Sequence, residues 1–302
     1  MRDILILDGG MGKHLERCGA PFRQPEWSAL ALMEDPESVR RAHVDFIEAG
    51  ADIITVNTYA LSPFHLGEER FATRCAELAD LAGRLAREAV DIARKPVLVA
   101  GSLPPLFGSY EPERFDPERA PAMYDMLIEA QDPYVDLWIG ETVSSIAEAE
   151  AIVAALERFG NDSADKELWM SFSVTDELDA ATVPIRSGES VTHAAAAVAN
   201  DVQAILFNCS PPEAITAALN ELHAALEFDQ SGLATGAYAN AFVPKVEGYA
   251  ANEVLLGRRE DLTPEEYQRI AESWVESGAS VVGGCCHMFP EHIERLAVLR
   301  DG

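Results

Sequence analysis

The chain alternates short apolar, β-prone runs with helix-like segments along its length, and a chain built that way has few folds open to it. Ile4 to Leu7 is the first run and ends in Asp8-Gly9-Gly10. Residues 38–50 follow as a helix, with Val39, Ala42, His43, Phe46 and Ile47 on one face and Gly50 as its stop. Asp52 to Val56 is the second run, a long helix covers 68–94, and Pro96 to Ala100 is the third. Val135–Ile139, Leu168–Ser173, Val202–Phe207, Leu233–Ala239 and Ala279–Val282 complete a set of eight. Helices near 144–158, 189–199, 212–226 and 264–277 lie between them, and Pro290 begins a last one. Eight strand–helix units in 302 residues predict a (β/α)8 barrel. A doubly wound open sheet is the alternative, because periodicity does not show closure. No linker or low-complexity tract interrupts residues 1–302, so they read as a single domain. Gly101–Pro121 and 240–262 read as long loops over one face.

Charge narrows the function. The net charge of −28 argues against nucleic acid, whose phosphates need a basic surface, and disfavours anionic membranes. The acidity reads as a well-solvated surface, with a salty habitat or attraction of a cationic substrate as alternatives. The first apolar stretch is too short for a signal peptide, and no run reaches membrane-spanning length. Five cysteines, an odd number, suit a reducing cytoplasm with thiols free for metal or catalysis.

In a (β/α)8 barrel the active site lies at the C-terminal ends of the strands. The residues just after each run are Asp8-Gly9-Gly10, Asn57-Thr58, Gly101-Ser102, Glu141-Thr142, Ser171 with Ser173, Asn208-Cys209-Ser210, Asn240 and Gly283-Gly284-Cys285-Cys286. Cys209 and Cys285 are 76 residues apart, about two strand–helix units, which puts them on strands six and eight. Alternate strands fill the same layer of a barrel, so these thiols can converge on a soft metal such as zinc. The glycine pair before Cys285 lets backbone come close to a ligand or metal. Buried packing thiols are the other reading. Cys18 and Cys75 read as an ordinary loop or helix thiol. His14, His43, His65, His193, His223 and His292 read as scattered residues without ligand spacing, His287 as a pocket-rim residue, and Lys245 as a solvated loop lysine.

Asp8-Gly9-Gly10-Met11-Gly12, Asn57-Thr58-Tyr59, Gly140-Glu141-Thr142, Asn208-Cys209-Ser210 and Gly283-Gly284-Cys285-Cys286, followed by Pro290-Glu291-His292-Ile293, together resemble the homocysteine S-methyltransferase family. The motifs run in order along nearly the whole chain. The resemblance implies a zinc-dependent barrel that moves a methyl group onto the thiol of homocysteine. By the same resemblance Cys209, Cys285 and Cys286 are the zinc ligands, and Asp8, Gly9, Asn57 and Glu141 line the homocysteine pocket, with Glu141 near the amino group.

The chemistry is coherent. A free thiol is mostly protonated at neutral pH, and binding to zinc deprotonates it. Carboxylates such as Asp8 and Glu141 can pair with the substrate ammonium. The methyl must sit on a good leaving group, a sulfonium or quaternary ammonium, and Tyr59, Phe107, Tyr110 and Tyr238 are candidate aromatic walls for that cation. Betaine-using relatives typically show tyrosine after the glutamate, where this chain has Thr142, so S-methylmethionine or S-adenosylmethionine is the expected donor and betaine the alternative. Lys13, Leu103-Pro104-Pro105 and His287-Met288-Phe289 depart from the family pattern and are expected near the substrate face. A zinc hydrolase and a non-catalytic zinc- or thiol-binding protein are the rival readings; an all-cysteine donor set favours a soft sulfur substrate.

Overall fold

The computed structural model describes residues 4–160, 166–176, 182–225, 232–244 and 256–301. Lys245 and residues 246–255 of the second long loop lie outside the described residues. Eight parallel strands are laid down in the order β1-β8-β7-β6-β5-β4-β3-β2: β1 (Leu5–Ile6), β2 (Ile53–Thr55), β3 (Leu98–Leu103), β4 (Leu137–Val143), β5 (Leu168–Phe172), β6 (Ala204–Asn208), β7 (Ala234–Tyr238) and β8 (Val281–Val282). A parallel bridge between Leu7 and Ile53 joins the two ends, which excludes the open-sheet alternative. The fold is a (β/α)8 barrel.

The helices, numbered along the described chain, are α1 (Met11–Arg17), α2 (Ser28–Glu34), α3 (Pro36–Ala49), α4 (Pro63–Leu66), α5 (Glu68–Ala93), α6 (Ala120–Gln131), α7 (Ile146–Phe159), α8 (Val191–Val198), α9 (Pro212–Ala225), α10 (Pro264–Ser277) and α11 (Pro290–Ala297). Several boundaries follow the expected chemistry. Thr263 accepts from the Glu266 amide at the start of α10, and Gly50 takes the left-handed conformation that ends α3, with φ 108°. Part of the supposed loop 101–121 differs. Its first three residues extend β3 to Leu103, and its last two open α6, which buries Tyr124, Leu127, Ile128 and Gln131 at helical spacing.

The strands are apolar on both sides because each divides two cores. Along β6, Ala204 and Leu206 join the barrel interior with Leu7, Ile53, Ala100, Ile139, Trp169 and Val281, while Ile205 and Phe207 face the helices. At roughly 25 cal/mol per Å2 of apolar surface removed from water, this double burial dominates the stability of the scaffold. Its practical result is a rigid ring whose upper rim carries the polar residues.

Candidate metal and substrate site

The rim gathers residues from strands far apart in sequence. Cys209 follows β6, and Cys285 and Cys286 follow β8; their three Sγ atoms lie within 4.8 Å of one another. Tetrahedral zinc, with Zn–S bonds near 2.3 Å, needs sulfurs about 3.8 Å apart. The set therefore fits a soft divalent ion with small side-chain adjustments, and three ligands leave one position open. Cys209 is buried, with its backbone in the left-handed region at φ 49°. Hydrogen bonding to Cys209 is the main cause that raises the pKa of both the Cys285 and Cys286 thiols above the ordinary range, and burial adds to it. A divalent cation is what would offset three sulfur anions at this spacing.

The glycines of both motifs have a packing role as well. They serve backbone packing of β1 against the segment after β8. A Cβ on Gly10 would stand 2.5 Å from the Cys285 carbonyl oxygen, and one on Gly283 would stand 2.5 Å from the Leu7 Cβ. A Cβ on Gly9 would overlap the Met288 carbonyl oxygen and the Phe46 ring. The two glycine pairs thus let the Asp8 and Cys285 segments lie in contact.

Asp8 and Glu141 face the same cavity. Asp8 accepts from the Thr55 amide at 2.8 Å and the Thr55 hydroxyl at 3.1 Å, yet burial pushes its pKa up to about 8, with the Glu141 charge adding. Glu141 accepts from the Ser102 hydroxyl, and burial pushes it up to about 7. Glu141 is held at an irregularity in β4, whose register with β5 shifts between Gly140 and Val143. Thr142 is left-handed there, at φ 58°, and Asn208 clamps it: its Oδ1 accepts from the Thr142 amide and its Nδ2 donates to the Thr142 hydroxyl, both at 2.9 Å. Such a conformation costs on the order of 1–3 kcal/mol for a residue with a side chain. The Asn208 clamp and the Ser171 hydroxyl behind it, 2.9 Å away, offset that cost.

The cavity, about 140 Å3, contains all three rim cysteines together with Asp8, Gly9, Asn57 and Glu141. Asn57 donates to the Ser28 carbonyl at 3.3 Å, which ties the floor to α2. No lysine or arginine is among the described lining residues, so the buried Asp8 and half-buried Glu141 carboxyls face a cavity whose described lining offers them no ammonium or guanidinium. Tyr59, Tyr110 and Tyr238 form part of the wall, whereas Phe107 packs on Phe115 outside it. Trp27 and Phe242 complete the aromatic surface and were not foreseen; neither directly follows a strand. Lys13, Leu103–Pro105 and His287–Phe289 do not line the cavity: Lys13 turns to Glu16 at 2.8 Å and lies over the Phe22 and Trp27 rings. His14, read as lacking ligand spacing, comes together with Cys18 and Asp45 within 4.8 Å. Its Nε2 is already 2.8 Å from the Asp45 carboxylate, and the Arg17 guanidinium stands 3.4 Å from its Nδ1.

The comparisons with known proteins give the family. The family model described as homocysteine S-methyltransferase matches residues 5–299. The chain belongs to the homocysteine S-methyltransferase family. It is accordingly a methyltransferase enzyme. A selenocysteine methyltransferase of Astragalus bisulcatus is 28% identical, over 96% of this chain and 90% of the relative. The homocysteine S-methyltransferase YbgG of Bacillus subtilis is 28% identical, over 97% of this chain and 93% of its own. Among solved structures, the homocysteine methyltransferase MmuM from Escherichia coli in a metallated form superposes with a TM-score of 0.77 at 27% identity, covering 99% of this chain and 96% of that one.

Proposed function

We propose that this enzyme is a zinc-dependent homocysteine S-methyltransferase that takes its methyl group from a sulfonium donor, S-methylmethionine or S-adenosylmethionine, and works in a reducing cytoplasm. One observation carries the reading: three cysteine sulfurs within 4.8 Å of one another share a cavity with two carboxyls, Asp8 buried and Glu141 half-buried, and no lysine or arginine is among its described lining residues. The first group suits a thiol acceptor and the second suits positively charged reactants. Cys209, Cys285 and Cys286 would hold the zinc, which would supply the acidity that strips a thiol of its proton near neutral pH.

The remaining steps belong to the chain's own residues. Glu141 and Asp8 pair with the acceptor's ammonium and fix where its sulfur lies, while Gly9 and Asn57 shape that end of the cavity. The faces of Trp27, Tyr59, Tyr110, Tyr238 and Phe242 provide a wall for the donor cation. The acceptor sulfur, having lost its proton to solvent, forms the new S–CH3 bond as the donor's C–S bond breaks, and the bonding pair leaves on the donor sulfur. Anion and cation become two neutral thioethers. A dry, apolar wall favours that neutralisation over the charged reactants. Thr142 beside Glu141 supports a sulfonium donor over betaine.

The test is a donor panel with zinc analysis. Purified enzyme is expected to carry one zinc per chain and to convert homocysteine to methionine with a sulfonium donor at least tenfold faster than with betaine. Cys209→Ala is expected to lose both zinc and activity. Absence of methylation with every donor, or zinc retained in full by Cys209→Ala, overturns the proposal. Because one relative is a selenocysteine methyltransferase, selenocysteine belongs in the acceptor panel.

A further inference from the structure

The loop after β3 sends Tyr110 to the cysteine cluster. Its backbone is left-handed at φ 69°, and its hydroxyl lies 2.9 Å from the Cys209 Sγ. The ring is held from its other side. The Arg186 guanidinium lies 4.9 Å from the ring centroid, and Arg186 is itself anchored by an ion pair to Asp176 and by a hydrogen bond to the Ser173 hydroxyl at 3.1 Å. Arg186 also reaches the Ser210 hydroxyl at 3.5 Å, next to Cys209 in sequence. Tyr110 and Cys209 are therefore positioned by one polar network spanning the loops after β3, β5 and β6.

A cysteine sulfur that ligates a metal has no proton to give, so in the loaded enzyme the tyrosine must be the donor. Three thiolates on a divalent ion carry a net charge of −1, and an incoming thiolate makes it −2. A hydrogen bond to one sulfur withdraws electron density from it and offsets part of that charge.

We propose that Tyr110 is a positioning residue for the metal cluster, a hydrogen-bond donor to the Cys209 sulfur held in place by Arg186, which makes Cys209 a less basic ligand. The inference rests on the zinc reading above and adds a residue to it.

Cobalt-substituted protein tests it without substrate or turnover. In Tyr110→Phe the sulfur-to-cobalt charge-transfer band is expected to move to longer wavelength, since the sulfur lone pair is no longer stabilised. The pH at which half the cobalt is lost should rise, and the apparent zinc Kd at neutral pH should weaken by about tenfold or more. The ligand-field bands should keep their tetrahedral intensity, because no ligand has been removed. Arg186→Gln is expected to shift the band in the same direction by less, and Tyr59→Phe, which removes a hydroxyl paired with Ser109 at 2.7 Å, should leave it in place. A Tyr110→Phe protein with the wild-type band and wild-type pH midpoint overturns the proposal, as does a collapse of the ligand-field bands, which would make Tyr110 a ligand. If the wild-type protein itself gives no thiolate–cobalt band, it is the parent zinc reading that fails.

Discussion

Glu141 and His43 illustrate two opposite uses of a titratable side chain drawn in from solvent, the first half-buried and the second fully so. Glu141 and Asp8 are held near pKa 7 and 8 by burial, so in the ligand-free enzyme both lose protons only around or above neutrality. A cationic ligand needs the ionised forms. The KM for homocysteine is therefore expected to fall as pH rises from about 6 to about 9, with two ionisations in the profile. Glu141→Gln should remove the lower one and cost about 10–150-fold in kcat/KM, the range for one charge-assisted hydrogen bond. A pH profile unchanged by Glu141→Gln would contradict the role. His43, by contrast, has no function at the rim. It is fully buried on α3, neither ring nitrogen has a hydrogen-bond partner, and burial pushes its pKa down to about 3. Its folded pKa lies below the unfolded one, so the stability linked to keeping it neutral is complete above about pH 6.5 and is lost as pH falls towards 3. His43→Leu should stabilise the fold by about 1 kcal/mol and weaken that acid dependence, as read from thermal melts at neutral and acidic pH. The apolar face carrying His43 was legible from its spacing with Phe46 and Ile47; the missing partners were not, since they depend on what packs against α3.

Strand ends were the most legible elements, because a run buried on both faces must stop where the chain meets water. That logic located Cys209, Glu141 and the Cys285-Cys286 pair before any coordinates. It missed Trp27 and Phe242, which reach the cavity from segments that follow no strand directly, and it missed α1, whose seven residues are too few to show a period. It also hid α6, since Pro121 beside a Pro- and Gly-rich stretch looks like loop although proline fits the first turn of a helix. The glycine pair before Cys285 was legible as a place for close backbone approach to a ligand or metal; the close approach of the adjoining strand end, which both pairs also permit, was not. Gly10→Ala should consequently act on the metal site through that neighbour. Its Cβ, 2.5 Å from the Cys285 carbonyl oxygen, must displace the Cys285–Cys286 segment. Zinc affinity is expected to fall about tenfold or more with the barrel still folded by circular dichroism. Gly12→Ala, whose Cβ meets the Phe22 ring edge at 3.2 Å and the Ser28 Cβ at an ordinary 3.7 Å, should retain zinc. Equal zinc content in the two variants would refute this coupling.

At the scale of the whole molecule, strand count and order were readable and closure was not, because pairing between the first and second strands leaves no periodic trace. Closure is also the least redundant part of the ring. β6 and β7 pair over five residues, whereas β1 meets β8 over two and meets β2 through the single Leu7–Ile53 bridge. The Asp52 carboxylate helps by accepting from the Ile6 amide at 2.9 Å while pairing with Arg300 at 2.6 Å. Amides of Leu7 and Asp8 are expected to exchange hydrogen before those of Ile205 and Leu206, and simultaneous exchange would argue for a single cooperative unit. β1 works like the clasp of a bracelet. Were it to spring, Asp8 would part from Glu141 while the arch from β3 to β7 stayed whole, so the grip on an amino acid would be forfeited well before the molecule came undone.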